Sequence, residues 1–300
     1  MLFGHWRQNT ERVKDKMYQA GLVLEGGGMK GIYTAGVLDY FIEKDMDFAN
    51  CYGVSAGAVH MCNLISKQMG RGLRIGIDYL DDKNYCGMYS LIKTGDFFGV
   101  DFCYRKIPTE LDPYDYETFS KYEGKAYAVI TNIITGEPEY YQIKDLKKDV
   151  IGIQASSSLP LISRNVMIDG KPYLDGGVSD SIPIRKSIAD GNVKNVVILT
   201  KEDGFIRQPS SKGMNFCIKQ KYRKYPALYK NMAQRHTNYN ETVAFIEAQQ
   251  KAGEVFVIRP KKPLNIGRTE KNREKLNAIY QIGYEDAKAC YDDLIHYLNK

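Results

Sequence analysis

The chain has 300 residues, 43% of them hydrophobic and 26% charged, which is ordinary globular usage and excludes a disordered or collagen-like protein. Either one or two domains fit this length, because α/β architectures often fill 300 residues as one unit. The net charge of +6 is much weaker than the dense Lys and Arg stripe of a nucleic-acid-binding protein. We therefore expect no nucleic-acid partner, whereas an anionic membrane surface stays open as a partner.

Cysteine usage and the absence of long apolar segments bear on the compartment. The six cysteines include no CxxC pair and no Cys/His spacing suited to zinc, so we interpret them as reduced core thiols. Residues 7–16 are too charged for the apolar core of a signal peptide, and no window is apolar enough to predict a membrane-spanning helix. These patterns predict a cytoplasmic protein that meets lipid, if at all, peripherally at the membrane surface.

The first 70 residues alternate between predicted strands and predicted helices. Residues 21–25 form a short apolar run, and apolar side chains then recur at helical spacing over residues 32–42. A second extended stretch covers residues 48–54, and helical spacing resumes over residues 58–65. This alternation predicts an α/β fold with a parallel sheet.

The remainder of the chain gives weaker signals. Residues 71–122 lack a clear period and predict loops and short helices. Later elements are predicted at residues 127–143 (a hairpin), 182–189 (a helix), 196–200 and 255–258 (strands) and 269–300 (one helix or a helix pair).

The most basic part of the chain is the segment 201–240. It carries nine Lys and Arg against two acidic residues, with aromatic side chains between them. Such a stretch is typical of a helix that lies on an anionic membrane surface. It is equally typical of a solvated helix face with snorkelling lysines, and the sequence does not separate the two.

The sharpest local pattern is a GxSxG at residues 53–57, placed where a predicted strand passes into a predicted helix. In a nucleophile elbow the serine occupies a strained turn, and side chains two positions to either side would clash as strand and helix approach. Gly53 and Gly57 meet that demand, which makes Ser55 a candidate nucleophile. The alternative is a tight turn whose serine takes no part in chemistry.

A glycine-rich turn, GGGMKG at residues 26–31, follows the first strand. A dinucleotide fingerprint would need an acidic residue at the end of the second strand, and Ser55 is next there instead. A P-loop fails because Ile32 and Tyr33 stand where Lys and Ser or Thr must contact phosphate and Mg²⁺. The third interpretation is an oxyanion hole, built from backbone N–H groups beside a nucleophile on the neighbouring strand.

A third pattern places Asp175 at the end of a short extended run, followed by Gly176 and Gly177. Alone, this DGG is most often a turn. Its functional interpretation is a carboxylate whose neighbours lack side chains, so that it can approach a nucleophile and act as general base.

Taken together and in this order, the three patterns resemble those of the patatin-like phospholipase family: a GGGx(R/K)G loop, a GxSxG, and DGG or DGA. Residues 155–160 are similar to that family's AS(x)₂₋₃P stretch, and the resemblance spans about residues 20–200. It departs at residues 180–183, DSIP, where many members have Asn, any residue, Pro. That departure leaves the subfamily open but not the dyad.

The resemblance implies roles for the motif residues. Ser55 is the nucleophile and Asp175 the proton acceptor of a Ser/Asp dyad. The oxyanion loop is formed by Gly26, Gly27 and Gly28, with Lys30 in the family's basic position and Gly31 closing the motif.

The resemblance also implies a fold and an activity. The fold is a three-layer α/β/α with a central, mostly parallel sheet, as one domain over residues 1–300 whose segment 201–300 belongs to it. The activity is serine acyl-ester hydrolysis that releases fatty acids from phospholipids or other lipid esters, with no metal or organic cofactor. The alternatives are a general carboxylesterase or thioesterase, and a lipid- or nucleotide-binding module without turnover.

The four histidines raise the alternative of a Ser/His/Asp triad. His5 lies in a polar N-terminal stretch, and His60, five residues after Ser55 on the same predicted helix, should point to a different face. Only His236 and His296 keep the Ser, Asp, His order of α/β-hydrolases. Each is more simply a surface or core-edge histidine, so we prefer the dyad.

Overall fold

The computed structural model describes residues 17–300, so His5 and the charged residues 7–16 lie outside the described part. In chain order the strands are β1 (Met17–Leu24), β2 (Asp47–Val54), β3 (Lys125–Asn132), β4 (Pro138–Gln142), β5 (Val166–Ile168), β6 (Lys171–Asp175), β7 (Lys194–Ile198) and β8 (Val255–Ile258). They form one sheet in which hydrogen-bonded neighbours follow the order β5-β6-β3-β2-β1-β7-β8, with β4 also paired to β3.

Helices flank this sheet along most of the described chain. In chain order they are α1 (Ile32–Glu43), α2 (Ala56–Ile65), α3 (Arg71–Asp78), α4 (Met88–Thr94), α5 (Tyr116–Ser120), α6 (Val150–Ser156), α7 (Ile184–Ala189), α8 (Lys212–Lys221), α9 (Pro226–Lys251), α10 (Arg273–Ala289) and α11 (Tyr291–Asn299). Short 3₁₀ turns follow β1 at Gly28–Gly31 and β6 at Gly176–Val178, and a π-helical segment covers Phe102–Leu111.

Strand direction separates the sheet into two parts. β3, β2, β1, β7 and β8 run parallel to one another, whereas the pairs β3/β4, β3/β6 and β5/β6 are antiparallel. Parallel neighbours must be joined by crossovers, and α1 supplies the first of these between β1 and β2. The carboxyl ends of the parallel strands therefore meet at one edge, where α/β proteins bind ligands.

The central strand β1 shows why the molecule has three layers. Leu22 and Leu24 belong to the core that includes Phe41 of α1, whereas Val23 belongs to the core that includes Ile184 of α7 and Ile246 of α9. Successive residues of a strand point to opposite faces, so a strand buried on both sides needs helices on both sides. The predicted three-layer α/β/α fold with a mostly parallel sheet is confirmed.

Helix α1 is buried from Ile32 to Phe41, and α10 covers one of its faces. The two helices approach so closely that a β-carbon on Gly36 would lie 2.0 Å from the Tyr280 carbonyl oxygen. A β-carbon on Gly283 would lie 2.1 Å from the carbonyl oxygen of Tyr33. Because only glycine permits these contacts, α10 is fitted directly against the backbone of α1.

Most of the remaining predicted elements occur near their expected positions. The hairpin at 127–143 is the β3/β4 pair, and the expected helix pair is α10 and α11. All six cysteines are free. The core-thiol interpretation is wrong for Cys217, which is exposed on α8, a helix whose one buried residue is the neighbouring Ile218. Within residues 17–300, no helix combines the length and apolar character needed to cross a bilayer.

Candidate active site

Ser55 occupies the turn between β2 and α2, with φ 54° and ψ −122°. A positive φ is uncommon for a residue with a side chain, and such strain concentrates at functional sites. A β-carbon on Gly53 would lie 2.5 Å from Ala58 Cα, and one on Gly57 would lie 2.6 Å from the Leu24 carbonyl oxygen. The two glycines therefore allow the strand and helix to approach closely enough for this strained turn to form.

The pairing of β3 places Asp175 beside Ser55. Val54 of β2 is opposite Val129, and Asp175 of β6 is opposite the next residue, Ile130. Ile130 also pairs with β4, so β6 must occupy the other edge of β3, which is the edge that β2 occupies. The carboxyl ends of β2 and β6 consequently meet. Ser55, which follows β2, is thereby brought beside Asp175, the last residue of β6.

The Asp175 carboxyl group is buried and only partly hydrogen-bonded. Its Oδ1 accepts a 2.7 Å hydrogen bond from the Gly177 N–H, while Oδ2 has no well-formed partner among the described residues. Burial raises the pKa of this carboxyl, and the nearby Ser55 hydroxyl and the Arg235 guanidinium oppose that rise. The Ser55 side chain is thus near the Asp175 carboxyl group, which keeps one oxygen free to accept a proton.

The glycine-rich turn lies over the same point. Gly28 has φ +57°, and a β-carbon there would lie 2.7 Å from the Arg268 carbonyl oxygen, so the position requires glycine. The N–H groups of Gly27 and Gly28 donate to no acceptor within residues 17–300, and both residues line a small pocket with Ser55 and Asp175. Free N–H groups beside a buried serine can stabilise a negatively charged oxygen.

The other residues of the glycine motif have structural contacts. Gly31 packs against α2, where its β-carbon would lie 2.7 Å from Ala56 Cβ. Gly26 faces β2, because its β-carbon would lie 2.9 Å from the Val54 carbonyl oxygen. Lys30 lies close to the side chain of Lys201, and its positive charge contributes to lowering the pKa of Lys201.

Ser55 stands between two pockets of different character. The first has a volume of about 150 Å³ and is bounded mainly by apolar side chains of α1, α2, α3, α6 and the 85–114 region, including Met29, Ile75, Phe98 and Ile153. Its apolar lining favours an acyl chain, because burial of each CH₂ group of the chain contributes about 0.8 kcal/mol to the free energy of binding. We call it the apolar pocket.

The second pocket, of about 30 Å³, contains Asp175 and the glycine turn and is basic. Four cationic side chains line it: Lys201, Arg207, Arg235 and Arg268. We call these four residues the anion wall. Sequence reasoning missed them as site residues; its only signal was the excess of positive charge in the segment 201–240, which we interpreted as a membrane or solvent surface.

The three histidines within residues 17–300 are not placed to assist Ser55. His60 lines the apolar pocket, forms no hydrogen bond with Ser55, and is packed between Gly31 and Gly72. Burial, with a smaller contribution from Arg71, lowers the pKa of His60 to about 4, so it is neutral near pH 7. His236 lies on α9 and His296 on α11, and neither lines either pocket.

Nothing within the described residues forms a group of three or more His, Cys, Asp or Glu side chains able to hold a metal ion. The polar groups near Ser55 include the Asp175 carboxyl, backbone N–H groups, four cations, and the hydroxyls of Ser181 and of Ser156, which accepts a hydrogen bond from the Ser55 N–H.

Comparison with known proteins assigns two regions. A model described as patatin-like phospholipase matches residues 22–188, more than half of the chain, and a domain of unknown function, DUF6363, matches residues 225–299.

The chain is also similar to individual proteins. The chain is 28% identical over 251 residues to the uncharacterized protein YjjU of Escherichia coli (strain K12), covering 81% of this chain and 69% of that protein. It is 26% identical over 201 residues to the probable lipid hydrolase 463L of Invertebrate iridescent virus 6, covering 61% and 68% of the two chains. The solved structure of VipD from Legionella pneumophila aligns with a TM-score of 0.44 and 15% identity, over 93% of this chain and 67% of that one.

Proposed function

This chain belongs to the patatin-like phospholipase family and is therefore a carboxylic ester hydrolase of the lipid-hydrolase class, and from this premise we propose that it works through a Ser55/Asp175 dyad. The observation that carries the proposal is the strained turn at Ser55, one register position from Asp175 along the same edge of β3. The dyad uses Ser55 as nucleophile, Asp175 as proton acceptor, and the N–H groups of the Gly26, Gly27 and Gly28 turn as oxyanion hole.

The proposed reaction has two stages. Ser55 Oγ attacks the acyl carbonyl carbon while its proton passes to Asp175 Oδ2, and the glycine N–H groups stabilise the negative oxygen. The C–O bond to the alcohol breaks, the alcohol leaves with the proton from Asp175, and the acyl group remains on Ser55. Water then attacks the carbonyl carbon of the acyl-enzyme and gives one proton to Asp175. The bond between that carbon and Ser55 Oγ breaks, Asp175 returns the proton to Ser55 Oγ, and the fatty acid leaves.

The apolar pocket supports a lipid ester as substrate. It begins at Ser55 and Gly28 and extends between α1, α2 and α6, so an acyl chain lying in it would present its carbonyl carbon to the serine. We propose fatty acid release from phospholipids or other lipid esters.

Covalent labelling tests the nucleophile directly. A fluorophosphonate probe reacts with activated serines, and we expect it to label the wild type at the peptide containing Ser55 and to leave Ser55→Ala unlabelled. Ser120→Ala, which removes an exposed hydroxyl on α5, is the matched control and should label like the wild type. Labelling that persists in Ser55→Ala, or a folded wild type that is never labelled, would contradict the assignment.

Domain organisation and membrane contact enter as further parts of this proposal. We propose one domain over residues 1–300, supported by the pairing of β8 with β7 and the packing of α10 on α1. We also propose a cytoplasmic protein that contacts anionic membranes peripherally through α8, whose exposed residues include Phe216 and Met214 as well as lysines.

A further inference from the structure

The anion wall consists of four cations without carboxylate partners. None of the four forms a salt bridge within 4.0 Å to any carboxylate of residues 17–300. The two nearest carboxyl groups are otherwise used: Asp175 stands beside Ser55, and Glu25 accepts hydrogen bonds from the Tyr239 hydroxyl and from the Thr200 N–H and hydroxyl. The pocket therefore has an excess of positive charge.

The wall is held in place by contacts that are not charge pairs. Arg235 projects from α9 and its Nε donates a hydrogen bond to the Gly177 carbonyl oxygen. Arg207 stacks on the Tyr239 ring at 3.9 Å, and its backbone N–H donates to Asn240 Oδ1. The Arg268 carbonyl oxygen accepts from the Met29 N–H, which ties this segment to the glycine turn. These contacts orient the cations without neutralising them.

Cations that outnumber the nearby carboxylates destabilise one another. Burial, with the neighbouring Arg207 and Arg268, lowers the pKa of Arg235, and Asp175 and Glu25 oppose this only in part. Burial is likewise the largest cause of the lowered pKa of Lys201. Because partly buried charges are poorly screened by salt, a bound anion would relieve this repulsion. Arginine also offers a planar fork of N–H donors that matches phosphate oxygens.

The wall is supplied from outside the part of the chain that the patatin-like model matches. Lys201 and Arg207 follow residue 188, and Arg235 and Arg268 lie within the DUF6363 match at 225–299. Arg235 and Arg268 give this second region a role at the active site.

We propose that the anion wall binds a phosphate group on the alcohol side of the ester, opposite the acyl chain in the apolar pocket, and so selects substrates of net negative charge. This inference rests on the proposed esterase function, because it concerns which ester reaches Ser55. Arg207, Arg235 and Arg268 supply the hydrogen bonds to the phosphate, and Lys201 adds positive charge.

A matched pair of esters tests the selection. 1-Decanoylglycerol and its 3-phosphate share the acyl chain and the scissile bond, and release of decanoic acid is measured for both below the concentration at which either aggregates. We expect kcat/KM for the phosphate ester to exceed that for the neutral ester by at least tenfold. Equal values in the wild type would overturn the proposal while leaving the esterase function intact, whereas no hydrolysis of either ester would count against the esterase itself.

Two variants locate the effect. Arg268→Gln removes a cation whose side chain is exposed, so the fold should tolerate the change, and we expect the preference to fall at least fivefold. Lys230→Gln is the control, since it removes an exposed charge from the same DUF6363-matched region but outside the pocket, and it should keep the wild-type preference. Equal losses in the two variants would assign the effect to net charge and contradict the wall. Arg207→Gln is a second test of the wall and should reduce the preference for the phosphate ester as Arg268→Gln does.

Free anions separate a head-group site from a general phosphate site. We expect glycerol 3-phosphate to inhibit hydrolysis of the neutral ester competitively, and more strongly than inorganic phosphate, because the glycerol carbons also fill the space next to Ser55. Weaker inhibition in Arg268→Gln than in Lys230→Gln would support the wall. If inorganic phosphate inhibits as strongly as glycerol 3-phosphate, the site takes free phosphate and the head-group assignment is wrong.

Discussion

The apolar pocket and the anion wall meet at Ser55, but they come from different parts of the chain. The apolar pocket is lined only by residues between Gly28 and Leu159, all inside the region that the patatin-like model matches. The four cations all come from beyond residue 188. On our proposals, the reaction and acyl binding would use the region that the patatin-like model matches, whereas selection of the alcohol side would depend on cations from beyond residue 188.

If all catalytic groups lie in the region that the patatin-like model matches, Asp175→Asn should lower kcat nearly as much as loss of the Ser55 hydroxyl does. We expect kcat to fall at least a thousandfold on the neutral ester, because no second base can take the serine proton. His236→Ala and His296→Ala should each stay within about tenfold of the wild type, a difference of about 1.4 kcal/mol in barrier. Steady-state kinetics with a thermal melt of each variant checks this.

A thousandfold loss in either histidine variant, with folding intact, would establish a triad. The catalytic machinery would then extend into the part of the chain that we assign to selection. The sign of the pH dependence adds a check on the base. Because Asp175 must be ionised and burial raises its pKa, activity should disappear on acidification at a higher pH than that of an ordinary aspartate.

The glycine turn lies at the junction of the two pockets, and Gly28→Val should lower kcat by about a hundredfold or more on neutral and anionic esters alike. The added side chain would meet the Arg268 carbonyl oxygen and displace the backbone that holds the oxyanion. Gly204→Val is the matched control, since Gly204 has φ +71° with no atom near its β-position. If both variants lose activity equally, strain at positive φ is responsible rather than the oxyanion hole.

The exposed cations of the segment 201–240 should bind anionic membrane surfaces rather than the phosphate of a single substrate molecule. Reversal of charge at the exposed residues Lys219, Lys221, Arg223 and Lys224 should weaken binding to anionic vesicles by tenfold or more, and added salt should weaken wild-type binding. Flotation with vesicles of anionic and of neutral lipid measures this. Equal binding to both kinds of vesicle would reduce α8 to an ordinary surface helix.

The smallest expected effect concerns Lys201, where burial lowers the pKa to about 8. Its neighbours Lys30 and Arg207 lower the pKa further and Glu25 opposes them. A lysine is charged below its pKa, so the wall should lose one charge as pH rises through about 8. We expect the preference for the phosphate ester to decline two- to threefold between pH 7 and 9, over which the phosphate stays a dianion. A flat profile would remove Lys201 from the wall.

Much of the catalytic half could be predicted from sequence because its signals are local. GxSxG fixes a strand, a turn and a helix within a few residues, and the steric need for Gly53 and Gly57 can be worked out from the motif alone. The resemblance supplied the partnership of Ser55 and Asp175, but the meeting of β2 and β6 on one edge of β3 is a register that no local pattern encodes.

The anion wall could not be predicted for a related reason. Arg235 belongs to a long helix in which charged residues recur on the exposed side, and nothing in its neighbours distinguishes it from Lys230. Its position at Gly177 depends on where α9 packs against the sheet. The basic composition of 201–240 was equally compatible with an anionic membrane and with a solvated helix face, and composition does not show which cations face inward.

The close approach of Gly36 and Gly283 has a consequence for synthesis of the chain. During synthesis on the ribosome, the region matched by the patatin-like model emerges before α10. The face of α1 that α10 covers is therefore exposed until α10 has been made. A polypeptide cut at residue 188 would expose that face permanently, and the β1 edge that β7 normally occupies would be open to pairing with other chains. The stretch that the patatin-like model matches is therefore shorter than the stretch needed to cover α1 and to pair both edges of β1.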